Sequence, residues 1–331
     1  MKKIYILFFI IVSSLGYGQM IQKTSCSKKA SEISNKAINH MINLEFLTAR
    51  GMAEAALMVD ENCGCAKLVI ARVSSANKDY GTRANKLKMI DRSSLSGEEK
   101  VWYDALSSSD KEKYSVIQKE GEVMFPKSPF IHYLATGGLN FISYKAFAEK
   151  FPKYASSAYN MMSYGYLRGD YGSVDKEKAM EYVKKSQSMH DGPNAYDSMA
   201  EHYASLGEFD KAVENQLSLV NLNHFGFENV HITEPAQFTE YPKGGFYDWH
   251  MDLDVNGKHE PPVRKISMTC LLSDPSTFTG GDLEFMEKNK MPSLKQGQAI
   301  FFASFIRHRV APVKKGIRRS LVMWFGGQPF K

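Results

Sequence analysis

The pattern of apolar residues changes near Asn223. Residues 28–223 show the spacing of amphipathic helices. The residues that follow predict short strands separated by Gly, Pro and Asp, at 225–232, 236–242, 246–252, 265–273, 281–286, 299–304, 308–313 and 318–326. The length of 331 residues suits two domains. We therefore predict a multidomain α plus β fold: an N-terminal α-helical repeat domain and a C-terminal double-stranded β-helix (jelly roll, residues 224–331), whose interior can hold a metal.

Two similar helical units precede the strand-rich region. Four residues recur at a constant offset of 37 positions: Tyr159, Met162, Ser163 and Tyr166 return as Tyr196, Met199, Ala200 and Tyr203. Such recurrence is typical of stacked helical repeats, which present a concave surface to a peptide or protein partner. Residues 157–223 resemble tetratricopeptide (TPR) repeats, and residues 19–156 are predicted to be a helical region with degenerate repeats. A simple helical spacer is the alternative.

Residues 1–18 have the pattern of a secretory signal peptide. Lys2 and Lys3 precede an apolar run over residues 4–12, and small residues lie before a cleavage site at Gln19. The apolar run is too short to span a bilayer, so we expect no stable membrane anchor. The sequence therefore predicts an exported protein, periplasmic or secreted. A cytoplasmic protein is the alternative if the N-terminus is not processed.

The cysteines and the net charge indicate which disulfides and which partners to expect. In an exported chain Cys26 can form a disulfide with either Cys63 or Cys65, and the sequence leaves both pairings open. Cys270 lies in a predicted strand and is expected to be a small core residue. The net charge is +6, and the basic residues are scattered rather than alternated with aromatic ones. We therefore expect no nucleic-acid partner.

Two histidines and one aspartate in the strand-rich region form a candidate metal-ligand set. His250 and Asp252 are two residues apart in a predicted strand, where alternate side chains point to the same side, so both can reach one ion. His308 supplies a third ligand from a strand that is distant in sequence. Two imidazoles and one carboxylate on one face of the metal, with other positions open, are the ligands of non-haem Fe(II) oxygenases.

Arg318 is the candidate anchor for an anionic cosubstrate. A planar guanidinium can bind both oxygens of a carboxylate. A proline and a glycine lie between His308 and Arg318, which predicts a tight connection between two adjacent strands that carry them. Ser320 falls on the same strand face as Arg318 and can give a second hydrogen bond. Arg319 lies on the opposite face and is the rival anchor.

Residues 225–331 resemble the prolyl 4-hydroxylase-like, PKHD-type branch of the Fe(II)/2-oxoglutarate-dependent dioxygenases. The matching stretches are Tyr241–Asp252, Leu272–Pro275 with Gly280–Leu283, His308–Arg318 and Arg319–Phe325. The resemblance implies Fe(II) at His250, Asp252 and His308, and the 2-oxoglutarate carboxylate at Arg318. It also implies that Tyr241 donates a hydrogen bond to the cosubstrate.

The reaction implied by this resemblance is hydroxylation of a carbon atom, with release of succinate and CO2. A peptidyl side chain such as proline is the usual substrate of the family, and ascorbate is a candidate reductant. Leu271 departs from the pattern, because many relatives have at this position a tyrosine that helps to hold 2-oxoglutarate. Gly280 and Gly281 predict a hairpin turn. The alternative function is a TPR-type protein-interaction module with a catalytically inactive jelly-roll domain.

The remaining histidines are not predicted to bind metal. Those in helical segments are expected to be structural or solvated, namely His40, His132, His190 and His202. His224 and His231 are expected on the surface of the strand-rich domain. Asp254 and His259 are predicted to lie in a loop after the strand that carries His250.

Overall fold

The computed structural model describes residues 19–74, 80–136, 141–253, 261–286 and 293–330. The predicted signal peptide, Asp254 and His259 lie outside these ranges. Within them, no helix is both long and apolar enough to cross a membrane. The chain divides into two compact units, residues 1–202 and residues 203–331.

The first unit is helical. Its helices are α1 (Lys28–Ile42), α2 (Phe46–Val59), α3 (Gly64–Val73), α4 (Tyr80–Lys88), α5 (Gly97–Ser107), α6 (Lys111–Met124), α7 (Pro129–Leu134), α8 (Phe141–Lys150), α9 (Ser156–Arg168) and α10 (Lys176–Met189), followed by α11 (Pro193–Ser205), which runs into the second unit. Side-chain caps define several helix starts. Ser96 and Glu99 form a capping box on α5, and Asp110 and Asp175 accept backbone N–H bonds at the starts of α6 and α10.

The segment before α1 completes the core of this unit. Met20 and Ile21 are buried, and the Ile21 N–H donates to Asn35 Oδ1 at 2.9 Å. Cys26 forms its disulfide with Cys63, which decides between the two pairings that the sequence left open. Cys65 remains a buried thiol.

The two similar helical segments bury two of the four recurring positions. Met162 and Ser163 of α9 are buried, as are the corresponding Met199 and Ala200 of α11. Tyr159 is buried, whereas its counterpart Tyr196 is half-buried. The assignment of these segments to TPR repeats stays a prediction.

Helix α12 (Phe209–Val220) belongs to the second unit. Its Leu217 is buried in one cluster with Ile266, Met323 and Phe325 of the strands. The compact unit consequently begins ahead of residue 224, where the sequence predicts the jelly-roll domain to begin. Helical periodicity alone does not reveal which core a helix joins.

Ten strands follow among the described residues of the second unit. They are β1 (His231–Ile232), β2 (Gln237–Tyr241), β3 (Tyr247–His250), β4 (Val263–Leu271), β5 (Thr279–Gly280), β6 (Leu283–Phe285), β7 (Ala299–Ala303), β8 (His308–Val310), β9 (Val313–Lys315) and β10 (Arg318–Gly327). One sheet has the order β1-β10-β4-β7, with β2 also paired to β10; the others are β3-β8-β6 and β5-β9. All these pairs are antiparallel. Cys270 is half-buried on β4 rather than fully in the core.

Two predicted connections differ from the structure. His308 and Arg318 are not on adjacent strands: β8 pairs with β3 and β6, whereas β10 pairs with β1, β2 and β4. The intervening residues cross between these sheets, and β9 pairs with β5 on the way. Gly280 and Gly281 do not form a hairpin turn, because β5 pairs with β9 and β6 pairs with β8. Turn residues in a sequence mark a change of direction, but they do not identify the partner strand.

Candidate functional site

The three predicted metal ligands meet at the ends of β3 and β8. His250, the last residue of β3, is the cross-strand partner of His308, the first residue of β8, and their ring centroids are 4.2 Å apart. Asp252 lies beyond the end of β3, and not within the strand as predicted. Its backbone N–H donates to the Ser304 carbonyl at 3.0 Å, so a bend in the chain brings its carboxylate to the histidines.

The ligand atoms converge on one point. Asp252 Oδ1 is 3.4 Å from His250 Nε2, and Asp252 Oδ2 is 3.7 Å from His308 Nε2. These distances are long for hydrogen bonds. Two ligands each about 2.1 Å from one ion would lie about 3.0–3.5 Å apart. The spacing therefore fits a shared metal better than direct pairing.

Hydrogen bonds to backbone carbonyls set the tautomer of both histidines. His250 Nδ1 is 2.7 Å from the Asp248 carbonyl oxygen, and His308 Nδ1 is 3.0 Å from that of Ile306. A carbonyl can only accept, so each Nδ1 carries a proton, and in the neutral ring Nε2 is left with its lone pair for the metal position. Burial also lowers the pKa of His308, which favours the neutral, metal-binding form.

Two buried serines hold the aspartate, and the sequence analysis missed both. Ser267 Oγ donates to Asp252 Oδ2 at 2.6 Å and is 3.0 Å from Ser304 Oγ. Both serines have no exposed surface. Such outer partners orient a ligating carboxylate. Ser267 lies between two apolar residues, Ile266 and Met268, that are buried, and a small polar residue in this place was the only signal in the sequence.

Arg318 is a buried cation whose charge is attracted by the carboxylate of Asp282. It is 3% exposed, its Nη1 donates to Ser320 Oγ at 2.8 Å, and its guanidinium carbon lies 5.6 Å from the centroid of the Tyr241 ring. Among the residues that the structure describes, no carboxylate forms an ion pair with it. Burial lowers the pKa of Arg318. A buried, unpaired charge costs free energy, which the carboxylate of a ligand would offset.

The two other arginines near this position are already paired. Arg319 Nε donates to Glu240 Oε2 at 2.8 Å, and both side chains are about half-exposed. Arg264 forms an ion pair with Glu234. Of these three arginines, Arg318 is therefore the one whose charge is available to an anion.

One cavity joins the metal ligands to Arg318. Its volume is about 380 Å³, at the lower end of the roughly 300–1,000 Å³ range of small-molecule sites. The three-stranded sheet contributes His250 and His308 to its lining, and the five-stranded sheet contributes Tyr241, Arg318 and Ser320. Both sheets are therefore needed to bring a metal and an anion anchor to the same space.

A second cavity of about 660 Å³ also reaches Arg318 and is lined by Leu271. Leu271 is the cross-strand partner of Ser320 and is buried, so this position offers an apolar wall and no hydroxyl group.

Gly281 packs closely against the side chain of Arg318. It has φ +69°, and a Cβ there would lie 2.8 Å from Arg318 Cδ. Its role, close packing against the anchor, was also missed from the sequence.

The residues present fit Fe(II) and a dicarboxylate cosubstrate. Two imidazoles with oriented lone pairs and one carboxylate form the ligand set, and His250 retains 28% exposure of its side chain towards the cavity. Ligands of this kind suit non-haem iron. Arg318 and Ser320 offer hydrogen-bond partners to an anion.

Comparison with known proteins agrees with this geometry. Residues 236–326, which lie within the second unit, match the family model described as the 2OG-Fe(II) oxygenase superfamily. A PKHD-type hydroxylase from Shewanella sp. (strain ANA-3) is 32% identical over 93 residues, which cover 27% of this chain and 42% of that protein. The chain thus spans less than half the length of this relative.

Two solved structures are each similar to part of the chain. The viral collagen prolyl hydroxylase of Paramecium bursaria Chlorella virus-1, in its 2OG complex, covers 37% of this chain and 74% of its own, at 22% identity and TM-score 0.32. TTC0263, a thermophilic TPR protein of Thermus thermophilus, covers 58% of this chain and 91% of its own, at 14% identity and TM-score 0.26. TM-scores this low add nothing to the assignment of fold or function.

Proposed function

We propose that the chain is an Fe(II)- and 2-oxoglutarate-dependent dioxygenase that hydroxylates a carbon atom of its substrate and releases succinate and CO2. One observation carries the proposal: a single cavity is lined by two histidines, a carboxylate and a buried arginine that forms no ion pair among the described residues. His250, Asp252 and His308 would hold the iron. When bound, iron and 2-oxoglutarate supply the oxidising chemistry that protein side chains lack.

The side chains around the ligands have separate tasks in this proposal. Arg318 binds the far carboxylate of 2-oxoglutarate, and its own desolvation cost falls when the charges pair. Ser320 holds the guanidinium through its Oγ and is itself 2.6 Å from Thr239 Oγ1. Tyr241, opposite Arg318 on β2, donates a hydrogen bond to the cosubstrate. Leu271 helps to exclude water from the neighbouring cavity.

The proposed substrate is a peptidyl side chain, with proline as the leading candidate. The support is the similarity to PKHD-type hydroxylases, which covers part of their length. The helical unit is proposed to bind a peptide or protein partner through its repeated helices. Ascorbate is proposed as the reductant that keeps the iron ferrous.

We also propose that the protein is exported. The Cys26–Cys63 disulfide supports this, because such bonds persist mainly in oxidising compartments. Protease protection of the protein in intact cells, compared with cells whose envelope has been opened, tests the location. Complete protection that survives opening of the outer layer alone, but not cell lysis, would place the protein in the cytoplasm.

Conversion of 2-oxoglutarate to succinate by the full chain, with Fe(II), ascorbate and proline-containing peptides, tests the activity. We expect turnover by the wild type and none by His250→Ala, which lacks a metal ligand. Arg319→Ala is the matched control and should keep its activity, because Arg319 is paired to Glu240 outside the cavity. Absence of turnover in folded, iron-loaded wild type, with and without peptides, would favour the interaction module with an inactive jelly roll.

A further inference from the structure

A second group of two histidines and one carboxylate lies in the helical unit. His40 is near the end of α1, Glu45 immediately precedes α2, and His190 immediately follows α10. Glu45 Oε2 is 2.5 Å from His40 Nδ1 and 3.0 Å from His190 Nε2. The three ligand atoms all lie within 4.8 Å of one another. Glu45 and His190 are 145 positions apart, so only the tertiary fold unites them.

Burial and backbone packing shape this group. The Glu45 and His190 side chains are 3% and 4% exposed, whereas His40 is 23% exposed and leaves access from solvent. Glu45 Oε1 is buried and has no hydrogen-bond partner among the described residues. A Cβ at Gly192 would overlap Glu45 Oε1 and lie 2.9 Å from His190 Nε2. A glycine at this point therefore leaves room beside a buried carboxylate oxygen that has capacity for another ligand.

Asn39 can support either tautomer of His190. Its Nδ2 is 3.1 Å from His190 Nδ1, an arrangement in which the amide donates and His190 donates from Nε2 to Glu45. If the amide is turned over, Oδ1 accepts a hydrogen bond from the Nδ1–H group and His190 Nε2 presents a lone pair. An outer carbonyl that fixes a histidine in this way is usual at metal sites.

We propose that His40, Glu45 and His190 bind a divalent transition-metal ion with the preferences of Zn²⁺, and that water completes the coordination. Two imidazoles, one carboxylate and no thiolate are a known ligand set for zinc with one open position. Each histidine would present a lone pair while its proton moves to the other ring nitrogen. The present distances to Glu45 Oε2 are those of hydrogen bonds, so the ion would replace both bonds and separate the ligand atoms to about 3.0–3.5 Å. It would tie the α1–α2 turn to the end of α10. This would stabilise the helical unit.

Zinc binding is best tested in the full chain carrying His250→Ala and His308→Ala, which removes two ligands of the oxygenase site. We expect this parent protein to retain a single equivalent of zinc after dialysis and to melt at higher temperature with zinc than with a chelator. Adding His40→Ala should weaken zinc binding by more than about tenfold, a loss that even outer partners of a metal can cause. His132→Ala is the matched control, because His132 bonds to a single carboxylate, Glu122, at 2.7 Å.

A second variant separates metal binding from folding. Glu45→Gln keeps a hydrogen-bond acceptor between the histidines but removes the carboxylate. We expect its circular dichroism to match that of the parent and its zinc content to be lost. If the parent binds no zinc, or if His40→Ala and Glu45→Gln bind as much as the parent, the group is a hydrogen-bonded structural network and the proposal is wrong. Neither result bears on the oxygenase site, which is disabled in every protein compared.

Discussion

Replacement of Arg318 by methionine should separate cosubstrate binding from folding. The guanidinium is 3% exposed and bonds to Ser320, and it forms no ion pair among the described residues. Methionine fills a similar volume and carries no charge. Ser320 keeps its contact with Thr239 Oγ1 at 2.6 Å, so the substitution leaves no buried hydroxyl unsatisfied. We therefore expect the variant, without cosubstrate, to equal the wild type in stability or to exceed it by about 1–2 kcal/mol.

Although the fold should not be destabilised by this substitution, the binding of 2-oxoglutarate should be much weaker. Loss of one partner from a buried, hydrogen-bonded charge pair costs about 2–5 kcal/mol. At 1.4 kcal/mol for each tenfold change, the affinity for 2-oxoglutarate should fall by roughly 30- to 4,000-fold. Arg318→Lys should lose less, because it keeps the charge and lacks only the planar fork.

The assay measures the KM for 2-oxoglutarate in succinate formation, together with the free energy of unfolding without cosubstrate. Arg319→Met is the control: its exposed pair with Glu240 should contribute less than about 0.5 kcal/mol, with no change in KM. An unchanged KM in Arg318→Met would refute the role of Arg318 as anchor. A decrease of several kcal/mol in the free energy of unfolding of the same variant would refute the view that the buried charge of Arg318 destabilises the folded protein.

Three further outcomes follow from individual contacts. Ser267→Ala removes the hydrogen bond to Asp252 and should weaken Fe(II) binding by about 10–100-fold, as measured by metal titration, and unchanged binding would contradict the role of this serine. Cys26→Ser opens the loop closed with Cys63 over a separation of 37 residues and should lower the free energy of unfolding by about 2–4 kcal/mol in urea titrations, to the value of the reduced wild type. Burial lowers the pKa of His202 below its ordinary 6.5 in the folded protein. As the pH falls, the imidazole is therefore protonated in the unfolded chain before it is protonated in the folded one, which lowers the free energy of unfolding. The neutral His202 contributes fully to the free energy of unfolding above pH 6.5, and this contribution is lost as the pH falls. Between about pH 7 and pH 5 the free energy of unfolding should therefore fall less in His202→Gln than in the wild type. Equal decreases would exclude His202 as the cause.

Much of the second unit could be predicted from the sequence, because the types of its residues and their local order indicate which elements form and which side chains can bind a metal or an anion. The change from helical to strand periodicity near Asn223 indicated two kinds of structure, and the order His250, Asp252, His308 and Arg318 indicated a metal with an anion anchor. Of the four positions that recur at an offset of 37, two are buried in both α9 and α11. Each of these features depends on residue types and spacing within a few helical turns or strands, so it can be predicted from the sequence.

Only the tertiary structure decided how these residues meet. Asp252 reaches the histidines by a bend held at Ser304, and Arg318 belongs to a different sheet from His308. The serine support of Asp252 and the close contact of Gly281 with Arg318 depend on neighbours that are distant in sequence. The hydrogen bonds of His250 and His308, by contrast, go to carbonyls only two residues away.

In the helical unit, too, the sequence did not predict which residues come together. His40 and His190 had no sequence signal beyond their residue type, and both were expected to be structural or solvated. The fold places them on either side of Glu45, across 145 positions of sequence. Local patterns determine which elements form and which side chains are chemically capable. Packing between elements decides which of those side chains share a site, because that packing depends on surfaces that no single stretch of sequence contains.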